Sequence, residues 1–288
     1  MERSAAEMVP AGGHEARALL TMGTMKTDRA LLDALPKLGL VAYFGTGYEG
    51  VDLAEAAARG LAVTHSPGAN ASSVADFAMG LVIASTRQIL QADRFVRDGR
   101  WRGNAAERMP SVPGLTGARL GIYGYGASGS KVAARAAAFE MEIAYHSRTE
   151  RPALAYAFKP SLLALAEWAD ILVVAARADA SNRHAVNREV LAALGAHGHL
   201  INISRGMAVD TEALIEALEN GTIAGAGLDV FEAEPDVPER LKASPRAVLT
   251  PHIASASVSA REAQEDMILA NLEAFFAGRP VVNPVPRG

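Results

Sequence analysis

Three side chains able to move protons or bind charge each follow a predicted strand: Arg205, Glu234 and His252. In open α/β sheets, ligands bind at the carboxyl ends of the strands. A histidine can protonate a carbonyl oxygen, a guanidinium can bind a carboxylate, and a carboxylate can orient the histidine. Together they indicate proton transfer to the carbonyl of a carboxylate-bearing substrate that accepts a hydride.

Each of the three residues also has an ordinary structural interpretation. Taken singly, His252 could be a loop histidine, Glu234 a solvated charge and Arg205 a member of a structural ion pair. Their joint placement after three strands favours the catalytic interpretation.

Gly124, Gly126 and Gly129 have the spacing G-x-G-x-x-G, between an apolar run at 120–123 and an Ala-rich segment at 130–139. The first glycine allows a tight turn, the second lets a pyrophosphate approach the backbone, and the third permits close helix–sheet packing. The helix N-terminus then offers N–H groups to phosphate. The alternative is a crossover whose glycines only make the turn. The context predicts a dinucleotide site.

The end of the next strand bears on which dinucleotide binds. NAD sites place an Asp or Glu about 20 residues past the glycines, to hold the ribose 2′-hydroxyl. Here the sequence has Ser147, Arg148 and Thr149. A guanidinium beside a hydroxyl would bind a 2′-phosphate, so we predict NADP(H), with NAD(H) as the alternative. Arg148 could instead be an exposed loop arginine.

Composition narrows the class of protein. The 288 residues are half hydrophobic, carry a net charge of −4 and include no cysteine. No basic run suggests nucleic-acid binding, no apolar run is long enough to span a bilayer, and the histidines lack metal-ligand spacing. We therefore expect no nucleic acid, membrane or metal partner and, from the absence of cysteine and of a secretory signal, a cytoplasmic protein.

Strand and helix patterns alternate along the whole chain, which predicts an α/β fold. Six strands from the glycine motif onward predict a doubly wound parallel (Rossmann) sheet in a dinucleotide-binding domain at 71–257. Residues 1–70 and 258–288 are assigned to a smaller α/β substrate domain.

Ser73-x-x-Asp76 predicts a capping box at the start of a long helix. A closing helix at 259–276 is predicted to return to the smaller domain, with an apolar face of Met267, Ile268, Leu272, Phe275 and Phe276.

The chain resembles the D-isomer-specific 2-hydroxyacid dehydrogenases, close to their glyoxylate/hydroxypyruvate reductase branch. The resemblance spans nearly the whole chain in the family's order. It rests on GTGYEGVD at 45–52, GYGASG at 124–129, INISRG at 201–206, LDVFEAEP at 228–235 and TPHIAS at 250–255.

The resemblance implies reduction of a small 2-oxo acid to the D-2-hydroxy acid. Arg205 would then bind the substrate's carboxylate and carbonyl oxygen, His252 would be the acid/base, and Glu234 would orient its imidazole. Backbone amides of Thr46 and Gly47 would hold the substrate carboxylate. Asp229 would hold the nicotinamide carboxamide, and the remaining cofactor contacts would come from Ala127, Ser128, Ala176, Ile203, Ser204 and Ser255.

Two departures from the family pattern stand out. Ala127 and Ser128 replace a pair that is often Arg-Ile, which removes one phosphate-binding cation. The strand and helix that usually begin the flavodoxin-like substrate domain are not found upstream of Arg17, so that domain is expected to be N-terminally shortened.

The resemblance also implies a homodimer, with the long helix from Ser73 as its interface. A dinucleotide-sensing, corepressor-like protein and a truncated inactive homologue remain the alternatives to an enzyme.

Overall fold

The computed structural model describes residues 6–23, 25–103 and 108–286. The chain divides into two compact units: unit 1 consists of Met1–Ala71 and Ala256–Gly288, and unit 2 of Ser72–Ser255. Both units are built on parallel sheets, which confirms the predicted α/β class. The shortened beginning of the substrate domain stays a prediction.

Unit 1 contains a three-stranded parallel sheet in the order β1-β2-β3. Its elements up to the third strand are β1 (Ala18–Thr21), α1 (Arg29–Asp33), β2 (Leu40–Tyr43), α2 (Leu53–Ala58) and β3 (Ala62–Thr64). Both helices begin where an aspartate accepts backbone N–H groups: Asp28 from Leu31 at α1, and Asp52 from Ala54 and Glu55 at α2. All four residues of β2 are buried, so the core of this unit surrounds its central strand.

Unit 2 contains a seven-stranded parallel sheet in the order β10-β9-β8-β7-β4-β5-β6. Its strands are β4 (Arg119–Tyr123), β5 (Glu142–His146), β6 (Ala157–Phe158), β7 (Ile171–Val174), β8 (His199–Asn202), β9 (Gly225–Leu228) and β10 (Ala247–Leu249). The chain adds strands first on one side of β4 and then on the other. The carboxyl ends of β4 and β7 therefore flank the crevice where such sheets bind ligands.

Helices cover both faces of this sheet. The helices of this unit are α3 (Ala71–Thr86), α4 (Ile89–Arg97), α5 (Ala127–Ala138), α6 (Leu162–Trp168), α7 (Arg188–Leu194), α8 (Thr211–Glu219) and α9 (Glu239–Ala243), and all except α4 contribute buried residues. One buried cluster joins α6, α7 and α8 to the strands through Leu165, Leu191 and Leu214. A second cluster, on α3 and α5, contains Leu81 and Val132. A sheet buried on both faces explains why its strands are short, continuous apolar runs.

The sheet has one strand more than the six predicted. The extra strand, β6, pairs with β5 in the parallel register Ala144↔Ala157 and Tyr145↔Phe158. Two residues at a sheet edge are too short to show a periodic pattern, so sequence reasoning could not detect them.

The capping box predicted at Ser73 and Asp76 is wrong. Helix α3 already begins at Ala71. The Ser73 hydroxyl donates to the carbonyl oxygen of Ala254 at 2.8 Å, and Asp76 pairs with Arg135 at 2.6 Å. Both side chains are therefore used in contacts to distant parts of unit 2, which local spacing does not reveal.

The closing helix α10 (Val258–Phe276) belongs to unit 1, and Ser257 caps it. Its predicted apolar face is partly wrong, because Phe276 is 54% exposed. Polar Gln264 and Asn271 are among the buried residues. Asn271 is buried because its side-chain oxygen accepts the N–H groups of Val282 and Asn283, both at 2.9 Å. No helix within the described ranges is long and apolar enough to cross a membrane.

The imidazole of His199 lies inside unit 2, where β8 faces α3. His199 Nδ1 is 2.8 Å from the Ser85 hydroxyl, and burial lowers the pKa of His199 from 6.5 to about 4. The folded protein therefore holds this imidazole neutral over a pH range in which the unfolded chain binds a proton.

Acidification is expected to destabilise the protein through His199. The contribution of neutral His199 to the free energy of unfolding is fully present above pH 6.5. It is lost as the pH falls to about 4, because the unfolded chain binds the proton at a higher pH than the folded protein does. The loss should reach about 3 kcal/mol. Urea unfolding of His199→Gln between pH 7 and pH 4.5 should lack this component, whereas His14→Gln, at an exposed histidine, should behave like the parent. Equal acid sensitivity of parent and His199→Gln would contradict this assignment.

Candidate active site

The loop after β10 is fixed by one buried carboxylate, that of Asp229 at the end of β9. Asp229 is 1% exposed and accepts three hydrogen bonds. They come from the Thr250 hydroxyl at 2.6 Å, the Ile253 N–H at 2.9 Å and the Ala254 N–H at 2.7 Å. Hydrogen bonds to a charged group are strong, so residues 250–254 are held against the end of β9.

His252 lies inside that loop and pairs with Glu234. Its Nδ1 is 2.7 Å from Glu234 Oε2, and Glu234 Oε1 accepts the Phe231 N–H at 3.0 Å. The backbone of His252 is left-handed, with φ 55°, a conformation that costs a non-glycine residue about 1–3 kcal/mol and is concentrated at functional sites. With Nδ1 donating to a carboxylate, Nε2 is the ring nitrogen that can exchange a proton with a substrate.

Arg205 lies in the loop after β8, next to the Glu234 loop in the sheet order. The fully buried Asn202 holds this loop: its Oδ1 accepts the Ser204 N–H and hydroxyl, and its Nδ2 donates to the Arg205 carbonyl oxygen, all at 3.0 Å. The Arg205 guanidinium donates to the Ser204 carbonyl oxygen at 2.8 Å. Sequence reasoning missed Asn202, although a polar residue at the end of an apolar strand is a usable signal.

The loops after β8 and β9 touch through their backbones. A Cβ at Gly206 would lie 1.8 Å from the Phe231 carbonyl carbon, so no other residue fits there without movement. The structure thus places the loops of Arg205, Glu234 and His252 at the ends of three adjacent strands, and it joins Glu234 directly to His252.

The glycine motif has the geometry that a dinucleotide needs. Gly124 has φ 100°, and a Cβ there would lie 2.3 Å from the Cα of Ala176. A Cβ at Gly129 would lie 2.1 Å from the Gly124 carbonyl oxygen. Gly126 faces open space at the start of α5, where no side chain caps the helix. The first-turn N–H groups, which include those of Ala127 and Ser128, fit a pyrophosphate.

The loop after β5 carries the residues predicted to select the cofactor. The Ser147 hydroxyl donates to the Thr149 carbonyl oxygen at 2.8 Å, and Arg148 and Thr149 are exposed. Hydrogen bonds from Ser181 lower the pKa of Asp179, and the charges of Arg148 and Arg177 lower it further. Both guanidinium groups therefore lie near Asp179 at this edge of the sheet. Sequence reasoning missed Arg177, which follows the end of β7.

The other residues predicted to bind the cofactor or the substrate differ in burial and in hydrogen bonding. Ile203 is buried directly after β8, and Ser255 is half-buried after the His252 loop. In unit 1, the Thr46 hydroxyl lies within hydrogen-bonding distance of the Ser66 carbonyl oxygen and Asn70 Oδ1. The predicted role of the Thr46 and Gly47 N–H groups stays a prediction.

These features define a dinucleotide-binding α/β protein with a histidine–carboxylate pair at the ligand-binding edge of its sheet. Residues 79–254 match the model of the D-isomer specific 2-hydroxyacid dehydrogenase NAD binding domain. The chain therefore belongs to the D-isomer specific 2-hydroxyacid dehydrogenase family, as its motifs predicted, and its cofactor is a nicotinamide dinucleotide.

Characterised relatives agree with this assignment. The chain is 42% identical over 269 residues to hydroxyphenylpyruvate reductase of Plectranthus scutellarioides and 41% identical over 269 residues to glyoxylate/hydroxypyruvate reductase A HPR2 of Arabidopsis thaliana. Each match covers 93% of this chain and 85% of the relative. The NADPH-dependent glyoxylate/hydroxypyruvate reductase of Sinorhizobium meliloti, solved with NADP and malonate, is 44% identical with a TM-score of 0.90. That match covers 99% of this chain and 88% of the other.

Replacing the buried carboxylate by an amide should loosen the His252 loop. Asp229→Asn loses the charge that strengthens three hydrogen bonds and turns one acceptor into a donor, so unfolding free energy should fall by about 2–4 kcal/mol. Urea denaturation would measure this, with exposed Asp236→Asn as the control. An Asp229→Asn protein as stable as the parent would show that the carboxylate does not hold the loop.

Proposed function

We propose that this protein reduces a small 2-oxo acid, such as glyoxylate or hydroxypyruvate, to the D-2-hydroxy acid, with NADPH as the preferred cofactor. The observation that carries the proposal is the 2.7 Å contact between His252 and Glu234, on loops next to that of Arg205. The relatives named above, which are reductases of 2-oxo acids, support the same reaction class.

In this reaction His252 gives its Nε2 proton to the substrate's carbonyl oxygen. Glu234 accepts from Nδ1 and fixes the orientation of the ring. After transfer the neutral imidazole keeps the Nδ1 hydrogen bond, so the same pair serves the reverse reaction. The bound nicotinamide supplies the hydride.

Arg205 has the chemistry to bind the substrate's carboxylate. A guanidinium offers a fork of donors that can engage a carboxylate and an adjacent carbonyl oxygen at once, and its charge stabilises the oxyanion that develops during reduction. The Asn202 and Gly206 contacts fix the backbone from which this side chain extends. Backbone N–H groups of Thr46 and Gly47 are proposed as further carboxylate donors.

The preference for NADPH rests on charge near the end of β5. Arg148 is exposed and, like Arg177, lies near Asp179, and no carboxylate occupies positions 147–149. A 2′-phosphate would therefore meet positive charge where NAD-selective sites present a negative one. Hydrogen bonds from Ser181 stabilise the charged form of Asp179, so one carboxylate lies beside these guanidinium groups and is occupied by its own donors.

A homodimer remains part of the proposal, but with a different surface from that predicted. The apolar residues of α3, among them Val74, Leu81 and Val82, are buried in the core of unit 2. Helix α4 has no buried residue, and the region around it exposes large apolar side chains, namely Ile89, Leu90, Val96 and Trp101. A second copy of this chain would remove those side chains from water.

Removing the proton donor should suppress turnover. His252→Ala is expected to lower kcat by roughly 10²–10⁴, the range for losing a positioned acid/base, while NADPH binding is largely kept. NADPH consumption with glyoxylate would give kcat, and fluorescence titration would give the cofactor's Kd. Exposed His197→Ala serves as the control. Near-normal turnover in His252→Ala would remove this residue from the mechanism.

Reversing the charge at Arg148 should change cofactor preference. Arg148→Asp should raise the KM for NADPH roughly ten- to a hundredfold, because a charge-assisted hydrogen bond is worth about 1.5–3 kcal/mol. The KM for NADH should change little, and Arg148→Ala should have an intermediate effect. Steady-state kinetics with each cofactor would measure both. A parent that prefers NADH, or an unchanged NADPH KM in Arg148→Asp, would refute the assignment.

A further inference from the structure

Glu232 lies two residues before Glu234 and binds two other segments of unit 2. Its Oε2 accepts the N–H and the hydroxyl of Thr211, at 3.2 and 2.6 Å. Its Oε1 lies 2.6 Å from His184 Nε2 and 3.0 Å from an Arg183 guanidinium nitrogen. One carboxylate therefore joins the loop after β9 to the start of α8 and to residues 183–184.

The surroundings of Glu232 stabilise its charged form. Its side chain is 22% exposed, against 67% for the neighbouring Glu212. Partial burial raises the pKa of Glu232, but hydrogen bonds from Thr211 and His184 outweigh burial and leave the pKa below its ordinary value. The start of α8, with its partial positive charge, favours the same ionised state.

Packing supports this loop at Phe231, whose side chain lies against the core of unit 2, but not at a neighbouring cavity. On one side its backbone at Phe231 lies directly against Gly206. Against another side lies a cavity of about 400 Å³, lined in part by Val230, Phe231 and Leu241. Since close packing does not fix the loop at the cavity, its position there depends on the polar contacts of Glu232.

The loop's position matters because Glu234 is oriented from it. Glu234 Oε1 accepts the N–H of Phe231, the residue directly before Glu232, and Oε2 contacts His252. A shift of the backbone at 231–232 would move the donor that orients the Glu234 carboxylate.

We propose that Glu232 is a positioning residue, which holds the loop after β9 so that Glu234 stays against His252. The inference rests on the proposed reductase function, since its catalytic consequence is read from that reaction. Glu232 acts through Glu234.

Kinetics of five variants test the proposal. Glu232→Ala should lower kcat with glyoxylate roughly ten- to a hundredfold, as expected when a catalytic group is displaced by about 1 Å, with the KM for NADPH unchanged. Glu232→Gln keeps an acceptor for Thr211 and should lie between Glu232→Ala and the parent. Glu212→Gln, an exposed carboxylate at the same cavity, should match the parent. In a Glu234→Gln background, Glu232→Ala should lower kcat less than about threefold, because the pair it positions is already broken.

Hydrogen exchange supplies a readout independent of turnover. Amides at 231–234 should exchange faster in Glu232→Ala than in Glu212→Gln. If the parent is active, an unchanged kcat in Glu232→Ala would overturn the positioning role. The role would also be overturned if the fold-changes in kcat caused by Glu232→Ala and Glu234→Gln multiply in the double variant. Unchanged exchange would overturn the anchoring of the loop whether or not the parent is active. A parent that reduces no 2-oxo acid would overturn the proposed function instead.

Discussion

The buried carboxylate of Asp229 is the interaction on which the site depends most. An ionised group at 1% exposure is tolerable only when it is hydrogen-bonded, and Asp229 has three donors from residues 250–254. Those donors bind the His252 loop to the neighbouring strand end. They also help to hold His252 in a left-handed backbone conformation that it would not adopt unaided. The three hydrogen bonds of Asp229 are observed, whereas its contact with the nicotinamide carboxamide stays a prediction.

Backbone-to-backbone contacts fix the other loops at the same edge. Gly124 lies against Ala176, Gly129 against Gly124, and Gly206 against Phe231, each too close for a Cβ. Such contacts leave little freedom of movement, because no side chain can rearrange to relieve them. Polar contacts of Asn202 and Glu232 then hold the loops that carry Arg205 and Glu234. A rigid edge of this kind suits catalysis that relies on placing charges in advance.

Local patterns predicted most of the fold. Helices α6, α7 and α8 begin after Ser161, Asn187 and Asp210, residue types that favour helix starts, and each of these side chains accepts an N–H three residues on. The errors arise where distant contacts decide. Ser73 is bound to Ala254, and Asn271 is buried by the backbone at 282–283.

In the candidate site, too, local patterns predicted some contacts and missed those made between distant segments. Motif placement predicted His252 and Glu234 as partners, and the structure brings them together. The task of Glu232 could not be predicted, because its partners Thr211 and His184 lie 21 and 48 residues away. Nothing in local spacing distinguishes it from a solvated carboxylate.

The central claim is that this edge of the sheet reduces a carbonyl next to a carboxylate. The most direct test compares NADPH oxidation by the parent with glyoxylate and with glycolaldehyde, which replaces the carboxylate by a hydroxymethyl group. We predict a kcat/KM at least about a hundredfold higher for glyoxylate, since a site built around a charged pair discriminates by several kcal/mol. Arg205→Lys should reduce that ratio, because an ammonium cannot copy the guanidinium fork. Equal kcat/KM values for the two aldehydes in the parent would contradict the account.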